Sequence, residues 1–223
     1  MVYNINKRKY STKGKRLSLI ERNNYILSEE LKQILIGILL GDAHIVQRSL
    51  TSNSRLVYAQ SAIKNKNYFN LVLNKFLFFC VKDYKPQSRI IKNNRTKKTY
   101  SSISFTTMQL PCFNEYRKLF YTDGIKTVPD NIYTLLTPIS LAYWIMDDGS
   151  KQNNGLHLNV YAFSNNDVDK LMFTLQDKFN LKCSIHYHKD KKPRIYIFEQ
   201  SMDYLRFLIK DHLIEDMLYK LSL

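Results

Sequence analysis

Three aspartates carry the clearest chemistry in the sequence. Asp147 and Asp148 stand side by side at the end of the apolar run LAYWIMDDGS, residues 141–150, and Asp42 ends a second apolar run, LIGILLGDAHI, residues 35–45. A helix carries partial negative charge at its C-terminal end, so acids there are disfavoured by a few tenths of a kcal/mol up to about 1 kcal/mol. Ending a helix does not by itself select aspartate. Asp42 and Asp148 lie 106 positions apart, close to half of a 223-residue chain, which is the signature of an internal repeat.

The runs that carry the acids must be helices able to meet. Gly37 and Gly41 are four apart on one helix face, a spacing that lets two backbones approach closely; Ala142 is a partial equivalent in the second run, while Tyr143 and Trp144 are not. Two such helices packed side by side, with a pseudo-two-fold between them, bring Asp42 and Asp148 together. Like charges that close repel one another. A hard divalent cation removes the conflict, and Mg²⁺ favours carboxylate oxygen, keeps several waters and accepts phosphate as a further ligand. Metal-activated water and leaving-group stabilisation then make phosphodiester hydrolysis the expected chemistry.

Composition narrows the partner. Lys and Arg number 34 against 19 Asp and Glu, a formal charge of +15 with 44% hydrophobic residues, so the chain reads as globular with a polyanionic partner, nucleic acid first and an anionic membrane second. The apolar run 34–40 is far shorter than the roughly 20 residues of a membrane span. Cys80, Cys112 and Cys183 lack CxxC spacing and cannot all pair, and read as free thiols in a reducing compartment. The basic N-terminus lacks the apolar core of a secretory signal and reads either as a transit peptide or as a DNA-contacting arm. Abundant Asn, Lys, Ile and Tyr suggest an A·T-rich, organellar coding sequence.

Periodicity places the elements. Residues 28–41 read as a helix capped by Ser28, 44–64 as a hairpin, 66–80 as a helix, 89–105 as a hairpin with a basic turn, and 108–120 as a helix. The second half repeats this: helix 138–149, strand 156–164, helix 165–180 capped by Asn or Asp, hairpin 181–198 with the tip KDKKP, and a closing helix from 201. The expected fold class is α+β, two pseudo-symmetric αββαββα repeats. The corresponding organisation is a basic arm over 1–27, repeats over 28–120 and 138–223, and a linker over 121–137 marked by a DG turn signal.

LIGILLGDA and LAYWIMDDG resemble the two copies of the motif that names the LAGLIDADG homing endonucleases, in the single-chain, two-repeat form, and the resemblance covers the chain from about residue 28. The runs TPISLAYWIMDDG, KTVPDNI and MLYKL are similar to segments of the mitochondrial intron-encoded yeast type. The resemblance implies motif helices at the interface of two saddle-shaped halves lying over the DNA major groove, and double-strand cleavage of a long target with short 3′ overhangs. It implies two or more divalent ions, Mg²⁺ with Mn²⁺ as a substitute and Ca²⁺ binding without cleavage, held by Asp42 and Asp148 and by the backbone carbonyls of Gly41 and Asp147. Lys126 and Lys220 match the basic residues that the family places around the active-site water, and Gln60 matches a polar residue of the same shell with Tyr161 as its counterpart.

Other residues have less specific assignments. His44, just past Asp42, is an alternative general base. His186 and His188, two apart on one strand face, suit a metal pair, but without an acid or Cys at ligand spacing they read as base or phosphate contacts. Candidate DNA contacts in the first half are Gln47, Arg48, Arg55, Lys64, Arg89, Lys92, Arg95, Lys97 and Lys98. In the second half they are Lys151, Asn154, His157, His186, His188, Lys191 and Arg194. These are residue types that read base edges or bind phosphate. The partner is thus double-stranded DNA for a monomeric enzyme. Host intron RNA, for a maturase, and a catalytically silent DNA-binding regulator are the alternatives, and intact acids in both motifs favour cleavage.

Overall fold

The computed structural model describes residues 17–92, 99–187 and 192–223. A short helix α1 (Leu19–Asn23), capped reciprocally by Ser18 and Glu21, leads into α2 (Glu29–Leu40), where the Ser28 hydroxyl accepts from Leu31 N–H. Both caps satisfy backbone donors that a helix start leaves orphaned. Of the 1–27 arm, residues 1–16 lie outside the described residues. The chain continues through β1 (His44–Val46), β2 (Arg55–Ser61), α3 (Lys66–Phe76), β3 (Gln87–Lys92), β4 (Thr99–Thr106) and α4 (Asn114–Phe120).

The second half runs through α6 (Pro138–Asp148), β7 (Gly149–Gln152), β8 (Gly155–Asn159), α7 (Asn165–Phe173), β9 (Cys183–Tyr187), β10 (Pro193–Ile197) and α8 (Met202–Ile209), ending in a 3₁₀ segment, Glu215–Leu221. The segment 121–137 is structured. It folds as a small hairpin, β5 (Tyr121–Thr122) and β6 (Ile125–Lys126), followed by α5 (Ile132–Leu135). Asp123 and Gly124 both adopt positive φ, 50° and 81°, the tight hairpin turn that the DG signal specifies.

Each half forms a four-stranded antiparallel sheet, ordered β1-β2-β4-β3 and β7-β8-β10-β9. The identical order is the repeat made visible, and it confirms the α+β class. Strand β7 has no counterpart in the sequence reading because GSKQ lacks the β-branched alternation that marks strands. Helix α7 is capped by Ser164, not by Asn or Asp: its hydroxyl accepts from Asp167 N–H at 3.2 Å, and the Asp167 carboxylate accepts from Ser164 N–H at 3.4 Å. The expected closing helix breaks after Ile209 into 3₁₀ turns, with Leu213 and Ile214 extended between them.

Helices α2 and α6 lie parallel against each other at the centre, and nearly every residue of both beyond the first turn is buried. Helices apolar all round belong in a core. Gln33 accepts from the Thr137 hydroxyl at 2.7 Å through its side chain and from the Ser140 hydroxyl at 2.8 Å through its backbone carbonyl. One turn on, a Cβ at Gly37 would overlap the Ser140 carbonyl oxygen and come within 2.8 Å of Tyr143 Cβ. At the end, a Cβ at Gly41 would collide with Asp147, reaching 2.8 Å from its Cγ. Glycine is required at these two positions for lack of space.

A Gly37→Ala substitution is therefore expected to lower the thermal midpoint despite the better helix propensity of alanine. Overpacking of roughly 1–3 kcal/mol outweighs a gain of about 0.5–1 kcal/mol. A midpoint unchanged or raised in thermal denaturation would show that the helices do not depend on this approach.

Candidate active site

Because α2 and α6 run parallel, their C-terminal ends meet, and the site is built where they do. Asp42 follows the end of α2 and Asp148 is the last residue of α6. Two lysines close the helix ends. Lys126 Nζ, on β6, donates to the carbonyls of Gly41 at 2.9 Å and Ala43 at 3.0 Å. Lys220 Nζ, buried in the final 3₁₀ segment, donates to the carbonyls of Ile145 and Asp147 at 3.2 Å each, and to that of Met146. A cation at a helix C-terminus satisfies carbonyls that the helix leaves unpaired and offsets its dipole. The Gly41 and Asp147 carbonyls, expected to face metal, thus accept from ammonium groups in this structure.

Burial dominates the electrostatics. It pushes the Asp148 carboxyl up to about 7, assisted by the charge on Asp42 and opposed by Lys126 and Lys220. Asp42 is exposed at the mouth of the site, yet crowding by its surroundings still raises its carboxyl through desolvation, opposed by its hydrogen bond from Gln60 and by the two lysines. Burial lowers Lys126 to about 8 against the pull of Asp148, Asp147 and Asp42, and lowers Lys220 in the same way. His44 is lowered by burial and by the charges of Lys126 and Arg55.

Gln60 is brought to the site as expected: its Nε2 donates to Asp42 Oδ2 at 2.6 Å. It reaches inward because β2 alternates, with Leu56, Tyr58 and Gln60 buried and the residues between them only partly so. Tyr161 is not its counterpart. His44 pairs with Val57 and Ser150 with His157, each two residues past its motif acid, so Gln60 corresponds to the buried Val160 and Tyr58 to Leu158. Tyr161 points outward, where its hydroxyl accepts from Arg194 Nε and its ring lies under Arg194 and Lys192.

Asp147 behaves differently from its neighbour. Its carboxylate is buried and turned into the first half, accepting from Asp42 N–H at 3.1 Å, from the Tyr58 hydroxyl at 2.7 Å and from Gln60 Nε2 at 3.1 Å. Burial and the charge on Asp42 hold this carboxyl well above the usual range. Sequence reasoning missed Tyr58 and Asn65, the latter donating to Gln60 Oε1 at 2.7 Å. A signal existed: Tyr58 is two residues from Gln60 on a strand, and so shares its face.

The outer sheet faces hold part of the expected DNA-contacting set. Arg55 and Arg89 lie on the outer face of the first sheet, Arg89 opposite Ser102. In the second sheet His157, His186 and Arg194 gather with Tyr196: His157 Nε2 lies 3.1 Å from His186 Nδ1, and the His186 ring stacks on Tyr196 at 4.5 Å. The partner of His186 is therefore His157. His188, Lys191, Arg95, Lys97 and Lys98 lie outside the described residues. Lys64 is exposed beside an open groove of about 460 Å³ that also reaches Asp42, Gln60 and Tyr100.

Of four further candidates, two face away from that surface and two are engaged within the protein. Lys92 pairs with Thr99 and so leaves its sheet on the face opposite to Arg89, and Lys151 pairs with Leu156 on the core parity of its edge strand. A one-residue difference in register flips a side chain to the other face. Gln47 braces its own loop by donating to Ser52 O at 2.8 Å, and Asn154 donates to Glu199 at 3.0 Å. Arg48 is exposed in the same loop as Gln47.

The donor set at the helix ends fits a hard divalent cation: two carboxylates that disfavour each other's charge, with backbone carbonyl oxygen beside them. Among the described residues no group of three or more Asp, Glu, His or Cys side chains is placed to hold a metal ion, so Asp42 and Asp148 are the two carboxylates on offer. A hard cation held by two carboxylates would fill its remaining positions with water and phosphate oxygen.

Known proteins share this construction. Residues 32–205 match the model of the LAGLIDADG DNA endonuclease family. The chain is 34% identical over 204 residues to cytochrome b mRNA maturase bI2 of Debaryomyces hansenii, covering 89% of this chain and 76% of that protein. It is 30% identical over 203 residues to the probable intron-encoded endonuclease 1 of Wickerhamomyces canadensis, covering 87% and 85%. The fold matches the homing endonuclease I-WcaI bound to its DNA recognition sequence with a TM-score of 0.83 at 28% identity, over 93% of this chain and 94% of that one.

The raised carboxyl of Asp148 gives a pH test of the cation-free site. Its folded value of about 7 lies above the ordinary aspartate value of 3.8, so the folded state binds the proton more tightly and stability is lost as pH rises between those values. Asp148→Asn removes the half-buried charge. It is expected to raise the thermal midpoint more at pH 8 than at pH 5 without divalent ions, and to show a smaller midpoint shift on addition of Mn²⁺ than the wild type. An equal effect at both pH values would show that Asp148 is not the group strained by burial.

Proposed function

Since the chain belongs to the LAGLIDADG DNA endonuclease family, we propose that it is a site-specific homing endonuclease that makes a double-strand break with short 3′ overhangs and so mobilises its own coding intron. The observation that carries the reading is the pairing of Asp42 and Asp148 at the two helix ends, each end closed by its own lysine. Asp42 and Asp148 hold the divalent cations, Mg²⁺ in function with Mn²⁺ as substitute, and Ca²⁺ supports binding without cleavage. When bound, the cation supplies an activated water and stabilises the leaving oxygen.

The chain's own groups do the rest. Gln60 orients Asp42 by donating to Oδ2, and Lys126 and Lys220 keep positive charge beside a phosphate that carries negative charge. Both acids reside in one chain, which suits a monomer acting on both strands of a long, nearly asymmetric target. The outer faces of the two sheets supply Arg55, Arg89, His157, His186 and Arg194 to the duplex, with the formal charge of +15 favouring association that weakens steeply with salt. The similarity to a cytochrome b mRNA maturase favours a second reading, assistance of intron splicing through RNA binding, and that relative's name supports an organellar, mitochondrial location over cytoplasmic or nuclear access to DNA.

The test is selection of random duplexes in Ca²⁺, followed by addition of Mg²⁺ to the recovered DNA with wild type and Asp148→Asn side by side. The expected result is a break at one internal position with wild type and none with the variant, which still binds. Tight, selective binding with no break by wild type would overturn the nuclease in favour of a silent DNA-binding protein. Enrichment of no duplex, together with binding of the host intron RNA, would leave the maturase reading standing.

A further inference from the structure

The carboxylate of Asp147 has no task in the chemistry proposed above. It occupies the position that Gly41 holds in the first motif, and only glycine there leaves room for it: a Cβ at Gly41 would meet Asp147 itself. Its oxygens serve the opposite half of the molecule. Oδ2 accepts the backbone N–H of Asp42 at 3.1 Å, while Oδ1 accepts from Tyr58 at 2.7 Å and from Gln60 Nε2 at 3.1 Å. The same Gln60 nitrogen donates to Asp42 Oδ2 at 2.6 Å, and Asn65 fixes the other end of the amide. Asp42 is thereby gripped at its main chain and at its side chain, and Asp147 is common to both grips.

Nothing equivalent holds Asp148. The strand register puts Leu158 and Val160 where the first half has Tyr58 and Gln60, and Gly41 stands where a partner acid would be. Among the described residues no side chain donates a hydrogen bond to the Asp148 carboxylate, on which desolvation and the charges of Asp42, Lys126 and Lys220 act instead. We propose that Asp147 is a positioning residue for Asp42, acting across the helix interface, so that the two acids of the site are held by different means and the two strands of the substrate depend on Asp147 unequally.

This rests on the endonuclease reading for its strand readout and on the cation site alone for a second readout. The variant is Asp147→Asn, which keeps the size of the side chain but offers one acceptor and one donor. In either orientation its amide NH₂ meets a group that can only donate, Asp42 N–H on one side or Gln60 Nε2 on the other. With the selected duplex in supercoiled plasmid and each strand end-labelled, Asp147→Asn is expected to accumulate nicked circles in which one and the same strand is spared. That strand should be slowed about 10–100-fold, the range for losing a group that orients a metal ligand, and the other far less. Tyr58→Phe keeps the ring and removes one hydrogen bond to Asp147, and is expected to slow the same strand by a smaller factor. Without DNA, Mn²⁺ titration followed by electron paramagnetic resonance should show a similar loss of affinity in Asp147→Asn.

Equal slowing of both strands, or wild-type rates in both variants, would overturn the proposal. If wild type cuts no DNA, the endonuclease reading fails while the Mn²⁺ titration still decides: unchanged affinity in Asp147→Asn overturns the positioning role, and weakened affinity upholds it. If Asp147→Asn does not fold, Tyr58→Phe carries the test, and an even effect on the two strands overturns the proposal.

Discussion

The close parallel approach of α2 and α6 is the constraint on which the rest of the molecule depends. Gly37 and Gly41 remove the atoms that would keep the backbones apart, and the hydroxyls of Thr137 and Ser140 tie the entry to the interface through Gln33. Parallel packing has an electrostatic consequence that antiparallel packing would avoid: two helix C-termini, with their partial negative charge, end at the same place. Three aspartates are then added. Such a cluster is tolerable only with positive charge supplied from elsewhere, and Lys126 and Lys220 supply it, each capping one helix end. The lysines arrive on elements remote in sequence from the acids they face, β6 in the connecting segment and the final 3₁₀ segment, so the connection and the C-terminal end serve the centre.

The two-fold pattern is kept in the backbone and relaxed in the side chains. Sheet order, helix order and the placement of one acid and one lysine per half repeat faithfully. The polar shell does not. A buried acid at 147 replaces the glycine of the first motif, and Tyr58, Gln60 and Asn65 in the first half provide its hydrogen bonds, whereas the second half fills the corresponding strand positions with Leu158 and Val160. A buried carboxylate without donors would be strongly unfavourable, so the acid and its partners on the opposite repeat form one unit. The interface between the repeats is in this way both the core of the fold and part of the site.

The outer sheet faces show how a basic surface is made specific in shape. In the second sheet a histidine pair, a stacked tyrosine and an arginine held by Tyr161 give a preorganised patch, where most surface lysines would be mobile. Preorganised polar groups lose less entropy on binding than flexible ones. In the first sheet the strand parity that aims Arg55 outward also aims Tyr58 and Gln60 inward, so the outer face and the site geometry there depend on one register.

Much of this was legible from the amino-acid order because it depends on local or periodic signals. The repeat, the two motif helices with the Ser28 cap, the hairpins of the first half and the DG turn each follow from spacing and turn chemistry, and Asp42, Asp148, Gln60, Lys126 and Lys220 were singled out through the motif resemblance. What required tertiary structure was decided by side chains meeting across long sequence separations. The turning of Asp147 into the opposite half, the Gln60 correspondence with Val160, the His157 partner of His186 and the faces taken by Lys92 and Lys151 all depend on register and helix contact, and a shift of one residue reverses each of them. The sequence alone determined which residues carry charge and which runs become helix; only the packing of two helices without room for a Cβ determined which of those charges touch.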